Sequence, residues 1–184
     1  MLTPGSRLMG GPIDKLIAKP DPKAPAALSQ FAFLIGHWRF EAKFQSPNGD
    51  VRTFHGTWIG RYILDGLVIE DEYKMLAPDA AVIVHGMNFR VYDVRKQNWN
   101  IKWLSALDGT WTDLTPAEFG GVKFDGRSAS YIFREPVGST DGWAPGYTRA
   151  TYTNVSPTLF TWRGEKSDDK TDWKEFMLVK CNRE

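Results

Sequence analysis

The sequence lacks most of the features that would assign it quickly. Its single cysteine, Cys181, cannot form an internal disulfide. No apolar run approaches the roughly 20 residues a membrane-crossing helix needs. No charged-then-apolar leader precedes residue 30, so cytoplasmic residence is expected. An excess of charge of either sign is also missing: 23 Lys and Arg stand against 22 Asp and Glu. That balance gives no basic field for nucleic acid or an anionic membrane, and neither is expected as a partner. The few histidines, Cys181 and the carboxylates form no cluster at metal-ligand spacing, so no metal is expected. A Gly-x-Ser-x-Gly elbow, a Gly-x-x-x-x-Gly-Lys loop and a Gly-x-Gly-x-x-Gly turn are all absent, which leaves no cofactor to expect. The stretch Glu165-Lys166-Ser167-Asp168-Asp169 reads as a solvated turn, because a calcium loop needs alternating oxygen ligands and a central glycine.

What is present in quantity is aromatic: 14% of the 184 residues are Phe, Trp or Tyr, with 8 Trp. Such side chains favour strands and line pockets. The length suits one domain with a real core. Residues 1–30 carry Pro4, Pro12, Pro20, Pro22 and Pro25 without a sustained apolar period, and predict an irregular arm. Ala26 to Gly36 (AALSQFAFLIG) allows one short helical turn that offers Phe31, Phe33 and Leu34 for burial. From Trp38 the period becomes two: Trp38, Phe40, Ala42 and Phe44 alternate with Arg39, Glu41 and Lys43. Strand-like stretches separated by turn clusters then continue to the C-terminus, about nine in all. The expected fold is therefore all-β, a single antiparallel barrel over residues 31–184, with closure hiding the strand edges.

The motif Gly36-His37-Trp38 resembles the Gly-x-Trp that opens the first strand of lipocalins and other calycins. Arg183 is similarly placed to the arginine that covers that tryptophan at the closed end of such barrels. The phrases FLIGHW, TWIGRYILDG, FRVYDVRKQNWNIKW, TYTNVSPTLFTWRGEKSDD and DWKEF are similar to a widespread bacterial family of calycin-like barrels without an assigned function. The likeness spans roughly residues 31–183 and implies a lipocalin-like barrel but no activity; the Pro-rich arm falls outside it. Some calycin-like barrels hold haem through a histidine near the C-terminus, and no histidine here lies beyond His85.

Within a barrel, the Asp65-Gly66 pair predicts a two-residue hairpin turn and fixes the register of its strands. Trp58 then opposes Tyr73, Gly60 opposes Asp71, and Tyr62 opposes Ile69. Arg61–Glu70 and Thr57–Lys74 fall on the other, wetter face. Asp71 thus points inward among rings, across from a glycine that leaves space. A carboxylate there loses hydration, and its pKa rises unless a cation or several donors face it. It either anchors the wall through an inward Arg or Tyr, or serves a ligand or a proton transfer.

A four-residue loop over Val94 to Gln97 would put Arg90, Tyr92 and Asn88 on one face opposite Ile101, Trp99 and Trp103. The other face carries His85, Met87 and Phe89. Alternation alone leaves open which face is interior; the calycin-like resemblance, through the spacing of Arg90, Tyr92, Trp99 and Trp103, implies the first set, with Arg90 available to Asp71 or to a ligand. His37 and His55 are expected at the surface, while His85 contacts ligand only if its face is interior. Tyr131 and Phe133 read as core-facing, and Phe160 and Trp162 mainly as barrel wall.

Two functional classes follow. In one, the barrel binds a small, largely apolar metabolite, aromatic compounds included, with Trp58, Tyr62, His85, Asn88, Trp103 and Trp162 around it. In the other, the same pocket is a cofactor-independent lyase, isomerase or cyclase, in which Asp71 moves a proton and Arg90 or Tyr73 stabilises developing charge. The long strands also leave an edge through which a homodimer could pair.

Overall fold

The structure is a computed structural model that describes residues 19–116, 119–135 and 146–184. Residues 1–18 of the expected arm lie outside the described residues. Among the described residues eleven strands follow a 3-10 helical segment, Ala26–Leu34, and a second such segment, Leu64–Gly66, joins the second and third strands. The strands of the first half are β1 (Gly36–Gln45), β2 (Val51–Ile63), β3 (Val68–Leu76), β4 (Val82–Asp93), β5 (Asn98–Ser105) and β6 (Trp111–Asp113). The second half comprises β7 (Lys123–Phe124), β8 (Ala129–Arg134), β9 (Tyr147–Thr153), β10 (Leu159–Ser167) and β11 (Lys174–Arg183).

All eleven belong to a single antiparallel sheet, in the order β6-β5-β4-β3-β2-β1-β11-β10-β9-β8-β7. The pairing of β1 with β11 joins the two ends of the chain in mid-sheet. The sheet also curls, because Arg90 on β4 hydrogen-bonds to the Tyr152 hydroxyl on β9 at 3.0 Å. Those strands stand far apart in the sheet order, and only curvature brings them into contact.

Two expectations are corrected here. The strands number eleven rather than about nine. Among the described residues, moreover, the sheet is not closed by hydrogen bonds, since β6 and β7 form its two edges without pairing to each other. These edge strands have three and two residues and each pairs only with its inner neighbour; such short edges offer little template for unwanted pairing. The result is an open half-barrel.

The period-two pattern has its expected consequence in β1, where Trp38, Phe40 and Ala42 are buried and Arg39, Glu41 and Lys43 exposed. The expected two-residue turn is a four-residue loop, Leu64 to Leu67: Leu64, Asp65 and Gly66 all have positive φ (49°, 57° and 87°), and the ladder stops at Ile63–Val68. Its strands pair in the expected register, with Trp58 opposite Tyr73, Gly60 opposite Asp71 and Tyr62 opposite Ile69.

One end of the half-barrel is plugged. The 3-10 segment buries Leu28, Phe31 and Leu34 completely, each worth about 1.5–3 kcal/mol in transfer free energy. The Trp38 indole donates to the Leu34 carbonyl at 3.0 Å. Arg183 lies over the Trp38 ring at 4.1 Å and donates to the Ile35 carbonyl at 3.1 Å, as the calycin resemblance implies. The helical turn expected near residues 26–36 is thus part of the core.

Candidate functional site

Above the plug the curled sheet forms an open-mouthed cavity of about 180 Å³. Its wall is mostly apolar: Trp58, Tyr73, Trp103, Tyr131, Phe133 and Trp162 supply rings, with Val84, Leu114, Ala150 and Met177 between them. Asn88, Arg90 and Tyr152 add polar groups. Position along the strands sets the cavity's axis. Arg90 and Tyr152 sit toward the plugged end, while Val84, Phe133 and Met177 lie toward the opposite end.

Asp71, on β3, is fully buried, and Arg90, on the neighbouring β4, is 1% exposed. Their side chains form an ion pair. The other carboxylate oxygen of Asp71 accepts the Trp58 indole N–H at 2.7 Å and the Asn88 amide at 3.0 Å. Burying an ionised carboxylate requires such compensation, and here one cation and two neutral donors provide it. Arg90 extends the network by donating to Tyr152, and its guanidinium stands 5.2 Å from the centroid of the Phe31 ring in the plug. Asp71 itself does not line the cavity. It lies behind the wall and holds three wall residues, Trp58, Asn88 and Arg90, in place.

The phenols here are neutral. Burial pushes the Tyr73 and Tyr152 hydroxyls well above the ordinary tyrosine pKa, so both remain protonated. Tyr73 directs its hydroxyl to the Met75 sulfur at 3.4 Å, stacks flat on Phe40 at 4.6 Å and meets the Trp58 ring edge-on at 5.3 Å. It is packed as wall. Trp103 takes its position because residue 86 is a glycine: a Cβ there would collide with the indole ring.

The candidates from the sequence divide into three groups. Arg90, Asn88, Trp58, Tyr73, Trp103 and Trp162 meet at the cavity. Asp71 and Tyr62 are buried beside it without lining it; burial also raises the Tyr62 pKa. His85 is placed differently from its expected ligand contact. It is on the opposite face of β4 from Asn88 and Arg90, half-buried, with Nε2 2.9 Å from the Glu72 carboxylate. Period-two alternation is the cause: with even-numbered Asn88 and Arg90 facing inward, odd-numbered His85 faces outward.

A second correction concerns Gly60. The room opposite Asp71 is already filled, since a Cβ at residue 60 would strike the Leu34 carbonyl of the plug. Tyr131 and Phe133, expected to face the core, line the cavity, and Tyr152 is an addition to the candidate set. The alternation Thr148, Ala150, Tyr152, each of them buried, is a signal that could have placed Tyr152 inside. Nothing in sequence pairs it with Arg90 on β4, 62 residues away.

Among the described residues no group of His, Cys, Asp and Glu could hold a metal ion, and no helix is long and apolar enough to cross a membrane.

No family model and no curated protein matches the sequence. Solved structures do resemble the fold. One is the crystal structure of Rv2717c from M. tuberculosis, with a TM-score of 0.59 at 9% identity over 88% of this chain and 99% of that one. Another is an S-type phycobiliprotein lyase, CPES, from Guillardia theta, with a TM-score of 0.48 at 12% identity over 87% of this chain and 93% of that one. At such identities a likeness speaks for architecture alone. The fold is that of an open antiparallel β half-barrel.

Proposed function

We propose that the protein binds a small, largely apolar molecule, aromatic compounds included, in the cavity of its half-barrel. One observation carries this reading: a ring-lined cavity has its few polar groups gathered toward the plugged end, where they can orient a ligand whose body is held by apolar contact.

Proton transfer by Asp71, with Arg90 or Tyr73 stabilising charge, has less support. Both Asp71 oxygens are engaged by Arg90, Trp58 and Asn88 behind the wall, and the Tyr73 hydroxyl is directed to Met75.

Ala150 lines the cavity and is buried, so Ala150→Phe should fill the space without touching the polar network. Native mass spectrometry of the purified protein, together with a screen of small aromatic compounds, tests the reading. Binding by the wild type that is lost in a folded Ala150→Phe variant is expected. Equal binding by both proteins would overturn it. Should a bound compound be turned over, Asp71→Asn that retains binding and loses turnover would instead favour the catalytic reading.

A further inference from the structure

We infer that the cavity takes a neutral molecule carrying hydrogen-bond acceptors, such as an aromatic ketone, quinone or lactone, rather than a carboxylate or other anion. The inference rests on the binding reading above and adds the charge class of the ligand.

A buried arginine on a pocket wall would ordinarily mark a carboxylate site, because its planar fork matches that group. Here the place of the carboxylate is already taken. Arg90 and Asp71 form an ion pair with both partners out of water, so this region carries no net charge. An anionic ligand reaching Arg90 would lose its hydration and enter the field of Asp71, a like charge. No second cation would meet it, since the other wall residues are aromatic, aliphatic or amide. The buried phenols Tyr73 and Tyr152 stay protonated and cannot supply charge of either sign.

Uncharged donors, by contrast, are present on the wall. The indoles of Trp38, Trp58, Trp99 and Trp173 donate to the Leu34 carbonyl, Asp71, Gln30 and the Lys170 carbonyl. Those of Trp103 and Trp162, both on the cavity wall, have no acceptor among the described residues. Trp162 meets Phe176 edge-on at 6.2 Å. These two indoles are half-buried, and an N–H that no protein acceptor engages is free to donate to one that a ligand brings. The wall thus offers N–H groups and rings but no uncompensated charge.

Acetophenone and benzoate test this directly, being close in shape and both carrying a carbonyl oxygen while differing in charge. Affinities are read from NMR shift titrations of the wild-type protein at pH 7, with Ala150→Phe as the filled-cavity control. The expected result is acetophenone binding that the control abolishes, with benzoate at least about 10-fold weaker. As the pH is lowered from 7 toward 5, benzoate should gain about tenfold per unit, because the neutral acid is the species admitted. Asp71→Asn, which leaves Arg90 uncompensated, should shift the preference toward benzoate. Benzoate binding as tightly as acetophenone at pH 7, in a manner the control abolishes, overturns the charge inference and leaves the cavity reading standing. Binding of neither probe overturns the cavity reading and the inference with it. The wild-type comparison decides the matter even if Asp71→Asn does not fold.

Discussion

The two ends of the half-barrel use the same residue types for different purposes. At the plugged end, Trp38 donates to Leu34, Trp99 donates to Gln30 at 3.1 Å, and Arg183 covers Trp38 while donating to the Ile35 and Pro157 carbonyls. Each indole or guanidinium there has a protein partner. In the cavity half, Trp103 and Trp162 line space and their N–H groups have no described acceptor. Between the halves lies the Asp71–Arg90 pair, reaching Trp58 on the cavity wall and Phe31 in the plug. The contrast teaches that aromatic content alone does not mark a binding site. Polar satisfaction separates the rings that hold the fold from those left to meet a ligand.

The largest effect is expected where the two ends join. Arg90→Leu should destabilise the protein by about 3–5 kcal/mol, because Asp71 is left buried without a cation. Replacing both partners with apolar residues should recover much of that loss. Chemical denaturation of the two singles and the double measures it, and additive losses would separate Arg90 from Asp71. Trp38→Ala should cost a similar about 3–5 kcal/mol, so any folded fraction should retain its cavity ligand. Gly36→Ala acts at the same end with a smaller loss of about 1–3 kcal/mol: residue 36 has φ 124°, and a Cβ would run into the Arg183 guanidinium. Trp103→Ala should reverse the pattern, costing under about 2 kcal/mol at a half-buried wall position while weakening ligand binding severely. A Trp103→Ala protein that binds as the wild type does would erase the distinction between the halves.

The smallest effect concerns acid. Glu165 is held below the ordinary carboxylate pKa, chiefly by hydrogen bonds from Arg149 at 2.7 and 2.8 Å. A lowered folded-state pKa contributes stability above the unfolded value, and that stability is lost as the pH falls through the folded one. Wild-type stability should therefore drop more steeply below about pH 4.5 than that of Glu165→Gln. Parallel curves would show that the pair contributes nothing.

Much of this architecture was legible because local rules fixed it. Asp65-Gly66, at the centre of its loop, set the register of β2 and β3, and the loop at Val94 to Gln97 did the same for β4 and β5, with Tyr92 opposite Trp99 and Asn88 opposite Trp103. Those two registers turn Asp71 inward and sort the residues of β4 into two faces, while the choice of the Arg90 face came from the calycin-like resemblance and the β3–β4 register only from the structure. Contacts across the curl were not legible, since no sequence rule ties Tyr152 to Arg90 or Phe31 to Trp99. The three-residue β6 is too short to show a period. The open seam between β6 and β7 was hidden for the same reason, and the filling of the space beside Gly60 depends on where the plug lands. His85 shows the limit from the other side: once Arg90 was chosen as interior, alternation alone sent it outward.

The indole N–H signals of the tryptophans give the most direct test of the distinction between the two ends. In a nitrogen-15 correlation spectrum titrated with acetophenone, the Trp103 and Trp162 indole resonances should move progressively and saturate, while those of Trp38 and Trp99 stay in place. Movement of the Trp38 and Trp99 signals with Trp103 and Trp162 unchanged would contradict it.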